Sequence, residues 1–506
     1  MNFNSAIKTN KWGVILIIAF TFIGISLAFS SLVIKDFSGS LAGITGLGPW
    51  VDANHDPVDV WEYAGFYFAK NLNFNPFPQL NLVNNQVLYP YGTTNVFGPW
   101  IIEADIFYAT LYSFFSIGPW FQIYYLITVL ITAGGAFALL LRDYGLVRAL
   151  GASLFVSFGN FYAIYKYPHH LNLSVVHWTV LSLIADFLIV KRVVLKKHVS
   201  LRLLLVRFCL LLLAFGQDLG YIVGFALMSF TVSILFITVL NGYRYFRGEF
   251  GIVIELIRRE IEAYKIDFFA YPRTCLALLG VSLFAGYMYL PLAIQIAREA
   301  KSFDFTRVDI YSFWTNPFRL FIPYFPGINT PERSFENIFR DSPEAIGAGS
   351  PGWFLLIAGT IGLWQNRRQL TIFIPLLSIF LLCLLYIPQK LFTFGTLGHL
   401  IIILLSSLCL WFARKRIQIF IPLLVVFFCV FCIKPSIFLL PTLKIFPWFT
   451  FNRVAGRCTI LYPTILSIFA LHINHDYWLS SPKRQLLAGL LAILACTGVI
   501  KSESSC

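Results

Sequence analysis

The stretch "VDANHDPVDVWEYAGFYFAKN", residues 51 to 71, holds Asp52, His55, Asp56, Asp59 and Glu62. Carboxylates and an imidazole this close together can do general acid–base chemistry or hold a divalent cation. Capping explains part of the cluster. Asp56 before Pro57 suits a helix N-cap, and Asp59 and Glu62 would then lie in the first turns, where the helix dipole favours negative charge. That narrows the catalytic candidates to Asp56, as base or metal ligand, with Asp52 behind it and His55 beside it as a substrate-binding group.

Other ionisable residues stand at the ends of apolar runs. Lys166, His169 and His170 lie in "YKYPHHLNLS", Asp218 in "FGQDLGY", and Arg453 and Arg457 in "FNRVAGRC". Neighbouring side chains diverge, so His169 and His170 make a poor metal pair. One of them would bind a substrate phosphate or hydroxyl, or both belong to an interfacial belt with Tyr165 and Tyr167. Arg453 and Arg457 are four apart, on one face of a helix. Guanidinium geometry suits a phosphate clamp, the alternative being headgroup snorkelling. Asp218 sits among apolar neighbours, where an acid marks a functional position by default.

The elements that position these groups follow from composition. The chain has 506 residues, 58% of them hydrophobic, 17% aromatic and only 12% charged. Its mean hydropathy is +0.75. Soluble domains carry about 25% charged residues, so this is an integral membrane protein. Apolar runs of span length fall near 12–34, 120–141, 147–165, 172–190, 203–216, 220–240, 274–297, 352–364, 370–387, 395–413, 417–434, 457–473 and 486–500. They predict an all-α bundle of about thirteen transmembrane helices. The first run is too long for a signal-peptide core and is read as a retained span.

The stretch 98–118 is apolar but carries Glu103 and Asp105. Laid flat as an amphipathic helix, it leaves the basic clusters on one side of the membrane, as the positive-inside rule requires. The N-terminus is then cytoplasmic, and two long extracytoplasmic loops follow at 35–119 and 298–351. The segment 243–273 becomes an amphipathic cytoplasmic helix. On this topology the ionisable residues singled out above converge on the outer face.

The net charge of +14 is scattered in short clusters between spans. That is a topology signal, and nucleic acid is not an expected partner. Most of the nine cysteines lie in predicted spans, so neither a disulfide framework nor a zinc site is expected. The 298–351 loop mixes Asp304, Arg307, Asp309, Arg319, Glu332, Arg333, Arg340 and Asp341 with aromatic rings. That mixture suits carbohydrate recognition and equally suits any interfacial loop.

The order of "HDPVDVW", "LYPYGTTN", "GAFALLLRDYGLVRALGASLFVSFGNFYAIYKYPHHLNL", "GSPGWFLLIAGTIGLWQNRR" and "FNRVAGRCTILYPTILSIFAL" resembles the GT-C superfamily of membrane glycosyltransferases. The resemblance implies a GT-C-like bundle, a polyprenyl-phosphate sugar donor, and transfer on the extracytoplasmic face to a glycan, lipid or protein acceptor. It also implies an acid in the first outer loop, matched here by Asp56, as base or as ligand of a divalent cation (Mg or Mn). The late arginines correspond to Arg453 and Arg457. The adjacent acidic pair common in that loop is missing here. Inversion is the expected outcome, because no second acid is placed for a covalent intermediate. A transporter or flippase of lipid-linked saccharides is the competing reading, and a non-catalytic assembly protein of the same fold is a third.

Overall fold

The computed structural model describes residues 21–34, 37, 59–85, 90–246, 250–300, 351–384 and 459–484, apart from 97, 99, 169, 475 and 478–479, and a few isolated positions between 385 and 458. The second long loop, 301–350, and the predicted spans at 395–413, 417–434 and 486–500 therefore lie essentially outside the described residues.

The structure is mostly helical (79%). Among the described residues four helices are long and apolar enough to cross a membrane: Trp120–Tyr144, Leu171–Val194, Ile222–Tyr245 and Pro272–Ala300. Helix α1 (Asp59–Asn71) leads into two minimal antiparallel ladders, Leu72–Asn73 with Gln79–Leu80 and Val83–Asn84 with Thr93–Thr94. Helix α2 (Ile102–Phe115) follows, and its 14 residues span about 21 Å, well short of a bilayer core. It packs antiparallel to α1: Phe68 meets Trp100, while Phe66 meets Tyr108 and Tyr112.

Next come α3 (Trp120–Tyr144), α4 (Leu146–Ser157), α5 (Phe161–Lys166), α6 (Leu171–Ser174), α7 (His177–Val194), α8 (Leu201–Ala214), α9 (Ile222–Phe246), α10 (Phe250–Ala270) and α11 (Pro272–Ala300). Near the C-terminal side stand α12 (Trp353–Gln365), a 3₁₀ turn (Arg367–Phe373), α13 (Ile374–Leu384) and α14 (Tyr462–Ala470).

The single span expected at 147–165 is two helices, α4 and α5. Asn160 ends the interruption by accepting a hydrogen bond from the Ala163 N–H (3.3 Å), which starts a new helix. The 13-residue α12 is shorter than the roughly 20 residues of a perpendicular span. It is held close to α14 instead. A side chain on Gly362 would run into the Phe469 carbonyl, and one on Gly359 would lie 2.9 Å from Leu466 Cδ2. Small residues are what allow such close approach between apolar helices.

The helices alternate in direction, so the bundle has two distinct ends. Arg142, Lys191, Arg192 and Arg244 lie at one end, where Arg192 pairs with Asp143 (3.2 Å) and Lys191 donates to the Tyr144 hydroxyl (3.0 Å). The starts of α7 and α9 and the end of α8 form the other end, and α2 packs there.

Between the two ends, α7, α8 and α9 are tied by one buried ion pair. Arg207 gives Nε to Asp186 Oδ1 (2.6 Å) and Nη2 to Oδ2 (3.0 Å). Its remaining donors reach Ser182 Oγ (3.3 Å) and the Ala226 carbonyl (3.1 Å), and Ser229 Oγ donates to Asp186 (2.7 Å).

Candidate functional site

Of the residues singled out in the sequence, Asp52, His55, Asp56, His169, Arg453 and Arg457 lie outside the described residues. The structure places Lys166, His170 and Asp218 at the end of the bundle opposite the basic clusters. Lys166 is buried at the end of α5, and its carbonyl accepts the His170 N–H (2.7 Å). His170 stands at the N-cap position of α6 but makes no side-chain cap bond there.

Asp218 is buried, and both of its oxygens are engaged by the chain. Oδ1 accepts the Tyr221 N–H (2.7 Å) and Oδ2 accepts Asn172 Nδ2 (2.9 Å). Its backbone carbonyl accepts the Val223 N–H (3.1 Å). Asp218 thus organises the turn into α9 and joins it to α6, bringing the His170 segment and the α8–α9 turn together. The buried Asn172 Oδ1 makes no hydrogen bond in return.

Sequence reasoning missed the carboxylate at the centre of this end. Glu103 lies in the first turn of α2, and its backbone N–H donates to the Gly216 carbonyl (2.8 Å), which fixes α2 to the α8–α9 turn. Gly216 is needed for that approach. A Cβ there would lie 2.8 Å from the Tyr289 ring and 3.0 Å from Glu103 Cβ.

Two side chains from the start of α7 then address the Glu103 carboxylate. Trp178 Nε1 donates to Oε2 (2.7 Å), and His177 Nε2 stands 3.5 Å from Oε1. The His177 tautomer follows from its neighbours. The Thr179 N–H donates to Gln217 Oε1 (3.2 Å), which makes Gln217 Nε2 the donor end; Nε2 reaches the Val175 carbonyl (2.9 Å) and His177 Nδ1 (3.4 Å). We therefore assign Nδ1 as the acceptor and place the proton on Nε2, pointing at Glu103.

Glu103 is 18% exposed while His177 is fully buried. The arrangement is an oriented carboxylate backed by an imidazole, itself oriented by an amide anchored to the backbone. Oriented carboxylates of this kind accept protons from hydroxyl groups or bind them. The Tyr124 hydroxyl, buried and without a hydrogen-bond partner, adds a polar group within the electrostatic reach of Glu103 and Tyr289.

Asp105 lies two positions from Glu103 but has a different environment. Burial pushes its carboxyl well above the usual carboxylate range, against the hydrogen bond that Oδ2 accepts from the Ile101 N–H (3.0 Å). Among the described residues no group of three or more His, Cys, Asp or Glu is placed to hold a metal ion, so the expected divalent cation finds no ligand set there.

A signal for Glu103 was present in the sequence: an acid inside the apolar stretch "GPWIIEADIFYA". Its partners were not visible, because His177, Trp178 and Gln217 are separated from it by more than seventy positions. No protein-family model, no curated protein and no solved structure matches this chain.

Proposed function

We propose that this protein is a membrane glycosyltransferase that moves a sugar from a polyprenyl-phosphate-linked donor to an extracytoplasmic glycan, lipid or protein acceptor, with inversion. The observation that carries the proposal is the Glu103 carboxylate, partly exposed at one end of the bundle, oriented by the Trp178 indole and faced by the buried His177 ring. The four apolar helices support a membrane protein, and the GT-C-like bundle of about thirteen spans rests on the sequence resemblance. We put its N-terminus in the cytoplasm and the site on the extracytoplasmic face.

In the proposed step the acceptor hydroxyl gives its proton to a carboxylate and its oxygen attacks the anomeric carbon. The bond from that carbon to the donor phosphate breaks, and the polyprenyl phosphate leaves with the electron pair and the added negative charge. Glu103 and Asp56 are the two carboxylates offered for the proton. Arg453 and Arg457, with Lys166 or His169, would stabilise the phosphate as charge builds on it; such stabilisation often supplies most of the rate enhancement. Asp218 contributes by holding the α6–α9 wall of the site.

The test is transfer by the purified protein from a set of polyprenyl-phosphate sugars, with Glu103→Gln, Asp56→Ala, Asp218→Ala and Arg457→Ala beside wild type. Loss of transfer in Glu103→Gln or Asp56→Ala, with the fold retained, supports the assignment. Full transfer by every variant removes the site. Movement of the donor across vesicles without any transfer would favour the flippase.

A further inference from the structure

At the opposite end of the bundle, His198 sits between two carboxylates of one helix. Glu260 and Asp267 are seven positions apart on α10, two turns along the same face. His198 Nδ1 lies 2.7 Å from Glu260 Oε2, and His198 Nε2 lies 3.1 Å from Asp267 Oδ2. The same two oxygens accept backbone N–H groups from the segment that carries the histidine. Val199 N donates to Glu260 Oε2 (3.3 Å), and Leu201 N donates to Asp267 Oδ2 (2.8 Å). Leu201 is the first residue of α8, and the N-cap residue Ser200 makes no side-chain cap bond. Asp267 therefore caps α8 from another helix.

The chemistry of the ring follows from that geometry. Ionised carboxylates only accept, and a neutral imidazole donates from one nitrogen only. An imidazolium satisfies both carboxylates at once.

From this we infer that His198 is a proton-operated pin. As an imidazolium it holds α10 against the start of α8; on losing its proton it keeps one bond, turns a lone pair towards the other carboxylate, and frees that turn of α10.

The charged and titratable groups around the ring fit this reading. Tyr264 of α10 packs on it, with ring centroids 5.7 Å apart. Burial first, then the Glu260 charge, pushes the Tyr264 phenol up to about 12, so it stays neutral. Arg202 of α8 stacks on Tyr271 (3.6 Å), and its charge also acts on Asp267. Lys196 and Lys197 on the connecting segment are exposed.

Burial raises the Asp267 carboxyl, but the Leu201 N–H and His198 outweigh it and hold the group below its usual value. A carboxyl with a depressed pKa stays ionised as pH falls, so its contribution is lost only in strong acid. The pin is thus closed while the ring carries its proton and opens when that proton is lost. Because α10 links α9 to α11, its release loosens the entry to the helix that carries Tyr289 into the site.

The experiment is amide deuterium exchange of the full-length protein in detergent micelles, compared at about pH 5.5 and about pH 8.5, on either side of imidazole titration. Rates are corrected for the intrinsic pH dependence of exchange. Amides of 255–270 should exchange about fivefold or more faster at the higher pH, while those of α7 keep their protection. His198→Gln should exchange fast at both. Should that variant not fold, Glu260→Gln decides. A neutral ring there can accept from the introduced amide and donate to Asp267, so the pH step should vanish. Equal protection of wild type at both pH values, or a step that survives either substitution, overturns the pin.

Discussion

Two polar centres in this bundle each set a carboxylate against a basic side chain, to opposite effect. At Asp186–Arg207 both side chains are almost wholly buried (4% and 3% exposed), and the carboxylate oxygens and guanidinium nitrogens find partners on α7, α8 and α9. At Glu103–His177 the imidazole is buried, but the carboxylate keeps 18% exposure and one oxygen faces His177 at 3.5 Å, longer than a hydrogen bond. The first arrangement uses up its hydrogen-bonding capacity on the fold. The second orients a carboxylate and leaves an oxygen for something else. An acid among apolar helices is therefore informative only once its partners are counted.

Arg207→Leu leaves Asp186 buried without its counter-ion, and should destabilise the bundle by about 3–5 kcal/mol. This would be read as loss of folded protein in size exclusion and a lowered unfolding midpoint. A double Asp186→Leu, Arg207→Leu variant should recover much of that loss; if it is as unstable as the single variant, the unpaired charge is not the cause.

At the open centre the effect should appear in turnover. Glu103→Gln is expected to lower transfer by roughly 10²- to 10⁴-fold, the range of acid–base assistance, with the melting midpoint little changed. A fall in stability as large as that of Arg207→Leu would make Glu103 a second structural knot.

His177→Gln should act more weakly, since the ring orients Glu103 and touches no reacting atom. We expect about a tenfold loss of transfer and an altered pH profile. An unchanged profile would reduce His177 to packing.

The smallest effect belongs to Asp105. Its raised pKa means that stability is lost as pH climbs above the ordinary carboxyl range, because the folded state resists ionisation. Asp105→Asn should therefore raise the midpoint by roughly 1–3 °C at neutral pH and change it less in acid. A lower midpoint at neutral pH would show that the ionised form is needed.

How much of this was legible depends on distance along the chain. The apolar runs that become α3, α7, α9 and α11 could be located from hydropathy, since a helix satisfies its own backbone in lipid and needs only local sequence. The amphipathic pattern around 250–270 likewise marks a helix, α10. The interruption of the predicted 147–165 span was harder to see. It depends on Asn160 capping a new turn, a local choice that hydropathy averages away.

Asp218 shows the same limit. Its apolar neighbours left it without visible partners, and the structure supplies Asn172 from 46 positions away. Composition and hydropathy mark the class of molecule, a helical membrane protein with sparse charges near the ends of apolar runs, because burial in lipid acts on composition. Which of those charges are closed knots and which stay open depends on how the helices pack. Hydrogen-bond saturation is a property of groups such as Glu103, His177 and Gln217, and the folded helices bring these together across long separations.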